Sequence, residues 1–188
     1  MLKGIINYSH HLLEQSVSSG DTVIDATCGN GHDTLFLSKI TGDNGKVLAF
    51  DIQEEAISNT KALLNKNGRT NVKLICDSHE NLNDYLASGQ YDTIGGAIFN
   101  LGYLPGGDKT VITKASSTII ALDSILLSLK QGGMAILVIY PGHPGGEEEK
   151  EAVLKHVIHL DQKYFEVLKY GFINQQNNPP FIVAICKK

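Results

Sequence analysis

The chain is short of cysteine, of long apolar runs and of positive charge, and each shortage removes a class of function. Its three cysteines, Cys28, Cys76 and Cys186, lie far apart without paired spacing. Neither a disulfide framework nor a zinc site is expected from them, and no metal is assigned. No run is apolar and long enough to span a bilayer, and the opening MLKGIINYSHHLLEQ mixes charge, polar groups and histidines, unlike a secretion signal. A cytoplasmic protein without a membrane role is the expectation. With 16 basic against 20 acidic residues the net charge is −4. That balance argues against general coating of nucleic acid, whose affinity comes from phosphate neutralisation. A local basic patch, or one completed by a second subunit, stays compatible with an RNA substrate. Repeats, linkers and low-complexity segments are missing too, so the 188 residues read as one domain, 1–188.

What is present is alternation. Short β-branched runs at 22–26, 46–50, 72–75, 93–99 and 134–139 are separated by stretches of helical periodicity, which is the pattern of a parallel sheet wrapped by helices. The spacing predicts helices over 54–65, 117–129 and 147–160. Gly132-Gly133 is expected to stop the second and open the following strand. The acidic start of the third suits the positive end of a helix dipole. Residues 164–173 and 181–185, joined across the polar stretch 174–180, read as a tight antiparallel hairpin. The expected fold is therefore α/β and Rossmann-like, a mostly parallel seven-stranded sheet with helices on both faces and an antiparallel C-terminal hairpin.

The first strand runs into DATCGNGHDT at residues 25–34. Gly29 and Gly31 suit a backbone that turns sharply and approaches a ligand at the carboxyl edge of a strand. Asp33 is near a helix start and could take an ammonium group. Asp51, twenty residues after Gly31, is placed to accept two ribose hydroxyls. A dinucleotide loop wants glycine or alanine where this chain has Thr34, so the loop favours S-adenosylmethionine over a nicotinamide cofactor. Asp77, with Ser78 and His79, could accept the adenine amino group or simply cap a helix. The candidate cofactor set is Thr27, Cys28, Gly29, Asn30, Gly31, Asp33, Asp51, Gln53, Asp77, Ser78, His79 and Asn100.

Four motifs carry a family resemblance: DATCGNGHDTLFL at 25–37, FNLGYLPGGD at 99–108, YPGHPGGEEE at 140–149 and NQQNNPPF at 174–181. On these the chain resembles the small bacterial class I methyltransferases labelled "putative rRNA methylase". The resemblance covers nearly the whole chain. Some members act on tRNA, converting wobble 5-aminomethyl-2-thiouridine to its methylaminomethyl form, so the resemblance implies tRNA, at its anticodon region, as partner. It also makes a homodimer a reasonable expectation.

Asn100-Leu-Gly-Tyr103 keeps the ends of the Asn/Asp-Pro-Pro-Tyr tetrapeptide of amino-directed methyltransferases and lacks both prolines. An Asn carbonyl can orient an amine N–H, and an aromatic ring can stack on a base. Asn100, Tyr103 and His143 are the catalytic candidates, with His143 as general base or else a surface-loop histidine. Tyr103, Lys109, Tyr140 and His143 are the substrate candidates, and Lys109 and Lys114 the first choices for phosphate. His10 or His11 could reach the methionine end of the cofactor. His156 and His159 lack a third ligand and read as a helix face. The stretch 177–180 reads as a turn that could extend toward substrate. Competing readings are an rRNA or small-molecule methyltransferase, a non-enzymatic cofactor- or RNA-binding scaffold, and lastly a nicotinamide oxidoreductase.

Overall fold

A computed structural model describes residues 1–89, 93–107 and 110–188. The elements in chain order are α1 (Ile5–Ser16), β1 (Thr22–Asp25), α2 (His32–Thr41), β2 (Lys46–Asp51), α3 (Glu54–Lys66), β3 (Val72–Cys76), α4 (Leu82–Gly89) and β4 (Ile94–Leu101). They continue with α5 (Ala115–Ser128), β5 (Leu129–Ile139), α6 (Gly146–Val157), β6 (Phe165–Tyr170) and β7 (Phe181–Lys187). One seven-stranded sheet has the order β3-β2-β1-β4-β5-β7-β6. Its first five strands are parallel, and β7 pairs antiparallel with both β5 and β6. The expected sheet and its hairpin end are thus present.

Strand alternation builds two cores. On one face Ile24, Leu48, Phe50, Phe99 and Leu137 pack with Leu82 of α4, Ile125 of α5 and Val153 of α6. On the other, Val23, Val47, Ile98 and Val138 pack with Leu13 of α1 and Leu37 of α2. A sheet buried on both faces needs apolar residues at successive positions, which is why its strands read as continuous apolar runs. Strand order reverses between β1 and β4, and the crevice at their carboxyl ends is where open α/β sheets take ligands.

Several expected boundaries move. The helix expected to stop at Gly132-Gly133 ends at Ser128, with Leu129 already extended. Both glycines lie inside β5, where pairing jumps from Ile94↔Leu129 to Gly96↔Met134. They absorb the extra residues of a bulge, with Gly132 at φ +75°. The third helix ends at Val157 rather than 160, which leaves His159 beyond it. The C-terminal hairpin is not tight, because residues 171–180 form its connection. Here Asn177 and Asn178 both take positive φ, at 64° and 50°, a conformation asparagine tolerates better than most residues. α1 was not assigned from sequence at all.

α1 lies close to the sheet because β4 is thin beneath it. A Cβ on Gly96 would meet Val17 Cγ2 at 2.8 Å and Leu13 Cδ2 at 3.1 Å. Gly96→Ala is expected to destabilise the fold by about 1–3 kcal/mol, the usual cost of overpacking. Urea unfolding measures this, and a midpoint equal to the parent's would show that α1 has room to give.

Candidate active site

β1, β2, β3 and β4 end around one cavity of about 1260 Å³. Pockets for a single ligand run to about 1000 Å³, so this one has room for a donor and an acceptor side by side. Of the cofactor candidates, all but Gly31 line it, as do Tyr103, Tyr140 and His143. Lys114 is at its lining as well, whereas Lys109 lies outside the described residues.

The loop after β1 explains the exception. Gly31 is the α2 N-cap, left-handed at φ 84°, and its missing Cβ would stand 2.9 Å from Thr60 of α3. Its smallness serves the approach of a neighbouring helix and not of a ligand. Gly29, at φ 51°, is the glycine that borders the cavity, and its N–H donates to Asp51 Oδ2 at 3.0 Å. Gln53 N–H donates to the other Asp51 oxygen at 3.0 Å. Each oxygen keeps a further lone pair, so the carboxylate is fixed in place while still able to accept a diol. Cys28 lines the cavity, but its thiol takes the Thr60 hydroxyl as donor at 3.6 Å and burial raises its pKa, holding it as the neutral thiol. Asn30 ties Pro105 O to the loop at 3.2 Å and accepts from Asn59 at 3.1 Å.

Asp33 joins three segments of the chain. Its Oδ1 accepts from His10 Nε2 of α1 at 2.5 Å, and its Oδ2 accepts from the Asn100 carboxamide at the end of β4. His10 is held flat on Phe36, with ring centroids 3.8 Å apart and planes 4° off parallel. Because Asn100 gives its N–H to Asp33, its carbonyl oxygen remains as the acceptor. Thr27 Oγ1 meanwhile accepts the Asn100 backbone N–H at 2.7 Å. His11 contacts Gln15 instead, 3.3 Å away.

Asp77 and Ser78 behave largely as caps. Asp77 accepts from Tyr85 OH at 2.8 Å and Asn81 Nδ2 at 2.9 Å, and these donors hold its carboxyl below the usual carboxylate range. Ser78 Oγ accepts from the Glu80 N–H. His79 is different. Its Nδ1–H donates to Ala26 O at 2.9 Å, so Nε2 is a lone-pair acceptor, buried and without a partner. Burial lowers the ring's affinity for a proton, which keeps Nε2 a lone-pair acceptor. An orphaned acceptor at the cavity wall together with the Asp51 carboxylate fits an adenosine.

His143 shares that tautomer, because Nδ1–H donates to Pro144 O at 2.9 Å and Nε2 has no partner. That nitrogen lies 3.6 Å from where a Cβ on Gly102, just past β4, would stand. Tyr103 meets the ring edge-on at 5.9 Å. The Tyr140 hydroxyl is made less acidic by burial and then by Asp33. His156 pairs with Asp123 at 2.7 Å and His159 Nδ1–H donates to Lys155 O at 2.6 Å, away from the cavity.

Two groups escaped the sequence reading. Thr113 lines the cavity, and Glu149, one of three consecutive glutamates, turns inward with 3% of its surface exposed. The signal was available, since Glu149 shares a helix face with Val153 and Val157. Asn178, in the hairpin connection, reaches the lining too.

The doubly wound sheet with its antiparallel hairpin, the glycine turn after β1 and the acid closing β2 define a class I methyltransferase fold. Residues 47–186 match the family described as "Putative rRNA methylase". Over 100% of both chains the structure superposes on a "putative rRNA-methylase" of Clostridium thermocellum, with 43% identity and a TM-score of 0.96. A "putative methyltransferase" of Streptococcus mutans, solved in complex with S-adenosylhomocysteine, is 43% identical over 100% of both chains with a TM-score of 0.91. The chloroplastic tRNA (mnm5s2U34)-methyltransferase of Arabidopsis thaliana is 43% identical over 154 residues, covering 77% of this chain and 56% of that protein. The chain spans between about a quarter and just over half the length of the curated relatives it matches. It belongs to the putative rRNA methylase family of S-adenosylmethionine-dependent methyltransferases. Among the described residues no helix is long and apolar enough to cross a membrane.

Asp25, at the end of β1, is fully buried, and burial followed by the nearby Asp33 pushes its carboxyl up to about 7 from 3.8. Thr34 Oγ1 at 2.6 Å and the Thr27 N–H at 3.2 Å are its donors. Below pH 3.8 folded and unfolded states both hold the proton. As pH rises toward 7 the unfolded chain loses it first, so this group lowers stability across that window. Asp25→Asn has no proton to lose, and its stability relative to the parent is expected to rise from pH 4 to pH 7. Denaturation at a series of pH values checks it, and parallel curves would place Asp25 at an ordinary pKa.

Proposed function

We propose that this protein transfers a methyl group from S-adenosylmethionine to the amine of 5-aminomethyl-2-thiouridine at the wobble position of tRNA. One observation carries the reading. Asn100 is locked by Asp33 so that its carbonyl is left to accept an amine N–H, in a cavity large enough for both reactants. The named activity of the plant relative supports the choice of substrate. S-adenosylmethionine, when bound, supplies an electrophilic methyl group on a sulfonium.

The chain's own residues then prepare the nucleophile. Asn100 Oδ1 holds one amine N–H and thereby aims the lone pair, an effect of positioning worth about 7–11 kcal/mol in favourable cases. The amine must be neutral before transfer, and His143 Nε2 supplies a proton acceptor next to the reacting loop. Asp51 and His79 hold the adenosine, and Tyr103 offers a ring to the base. Lys114 at the lining meets phosphate. The reading includes a cytoplasmic enzyme that binds the anticodon region and works as a homodimer, whose second subunit extends a cation-poor RNA surface.

Purified protein incubated with labelled methyl donor and total tRNA from a strain lacking the activity is expected to form 5-methylaminomethyl-2-thiouridine at the expense of the aminomethyl nucleoside. Asn100→Ala should slow single-turnover transfer by about 100-fold, as loss of alignment does. The rate should climb with pH as the ammonium deprotonates. Label appearing only in rRNA or in free amines would overturn the tRNA assignment and leave the cofactor site standing.

A further inference from the structure

Methyltransferases that carry two prolines in the reacting tetrapeptide fix its backbone covalently, since proline locks φ. This chain has Leu101 and Gly102 there, and glycine is the most permissive replacement available. Something else must hold the loop if Asn100 and Tyr103 are to keep their aim.

The structure shows what does. Gly102 and Thr113 exchange hydrogen bonds: Gly102 N–H donates to Thr113 Oγ1 at 2.9 Å, and Thr113 N–H donates to Gly102 O at 2.9 Å. Tyr103 and Ile112 pair as an isolated antiparallel bridge beside them. The Thr113 hydroxyl then donates to Glu149 Oε2 at 2.6 Å, while Thr118 of α5 donates to the other oxygen at 2.9 Å. Glu149 and Thr118 are both buried. A carboxylate in that position accepts from two hydroxyls, and no described cation pairs with it. Burying such a charge is costly, so its placement calls for a reason beyond solubility.

Glu149 also belongs to the first turn of α6, which grows directly from the loop holding His143: Gly146 N–H donates to His143 O at 2.9 Å, and Glu149 N–H to Gly145 O at 3.1 Å. One carboxylate therefore ties the loop after β4 to the loop after β5, and both to α5.

We infer that Thr113 and Glu149 are positioning residues for methyl transfer: a buried clamp that substitutes for the missing prolines and holds Asn100 and Tyr103 in register with His143. The inference rests on the methyltransferase reading above. Neither residue is asked to exchange a proton with substrate. Their effect passes through the Gly102 backbone, so it should be felt in the transfer step rather than in cofactor binding.

The test uses Thr113→Val, which keeps the shape and removes the hydroxyl, against Thr113→Ser, which keeps the hydroxyl. Glu149→Ala is avoided as the primary variant because it empties a buried polar site and risks unfolding the chain. Three quantities are read: S-adenosylhomocysteine affinity by calorimetry, single-turnover transfer to tRNA, and amide exchange at Gly102 by NMR. The expected result for Thr113→Val is about 100-fold slower transfer with cofactor affinity held within about twofold. Thr113→Ser should restore the rate to within about threefold of the parent. The Gly102 amide, having lost its acceptor, should exchange about tenfold faster in Thr113→Val only.

Parental transfer by Thr113→Val overturns the inference. So does a serine variant as slow as the valine one, or a loss of cofactor affinity that matches the loss of rate. Should the parent itself methylate no tRNA, the proposed function fails separately, and Gly102 exchange decides the clamp. Faster exchange confined to Thr113→Val sustains it, and unchanged exchange removes it.

Discussion

The carboxylate of Asp33 is shared between His10 and Asn100, and the active end of the molecule depends on that sharing. It joins the N-terminal helix, the cofactor loop and the last residues of β4, three segments that have no covalent reason to stay together. A carboxylate flanked by two side-chain donors holds its geometry better than one held by water, because charge-assisted hydrogen bonds are the stronger kind. The consequence for chemistry is direct. An asparagine side chain can present either its N–H or its carbonyl to a cavity, and Asp33 decides which.

Around that point the fold supplies close approach and negative charge. Gly96 lets α1 lie near the sheet, which brings His10 within reach of Asp33. Asp33 and Asp51 lie close enough to Asp25 to help hold its proton on, and Asp33 and Asp51 reach the cavity itself. Such a field favours a ligand carrying a sulfonium and an ammonium, and each backbone N–H that fixes Asp51 reduces the motion needed on binding. Rigidity at the reacting loop comes from side chains in the folded state, with the Thr113–Glu149 pair on one side and Thr27 on the other. A proline-based loop would be rigid before the fold forms. This one becomes rigid only with it.

Much of this was legible in the sequence where function follows the ends of strands. Asp51, Gln53 and Asn100 come at or just past the close of the expected strands, so finding the strands found three residues of the cavity lining. Gly29 and Gly31 show where such reading stops. From sequence a glycine that admits a ligand looks the same as one that admits a helix, and only the position of Thr60 separates them. Gly132-Gly133 misled for a related reason: glycine marks a helix stop and a β-bulge alike. Glu149 is masked by its neighbours, since three acids at a helix start satisfy the dipole as a group, and only its shared face with Val153 and Val157 sets it apart. α1 escaped because its buried stripe, Ser9, Leu12, Leu13 and Ser16, is half serine and reads weakly as an apolar face.

The central claim is that His10 and Asn100, which bond to different oxygens of Asp33, act as one unit through it. A double-mutant cycle on His10→Ala and Asn100→Ala, read as S-adenosylhomocysteine affinity by calorimetry, tests it most directly. The account predicts that the double variant loses less than the two single losses together, by about 0.5 kcal/mol or more. Additive losses would mean that each side chain acts alone and that Asp33 does not organise the site.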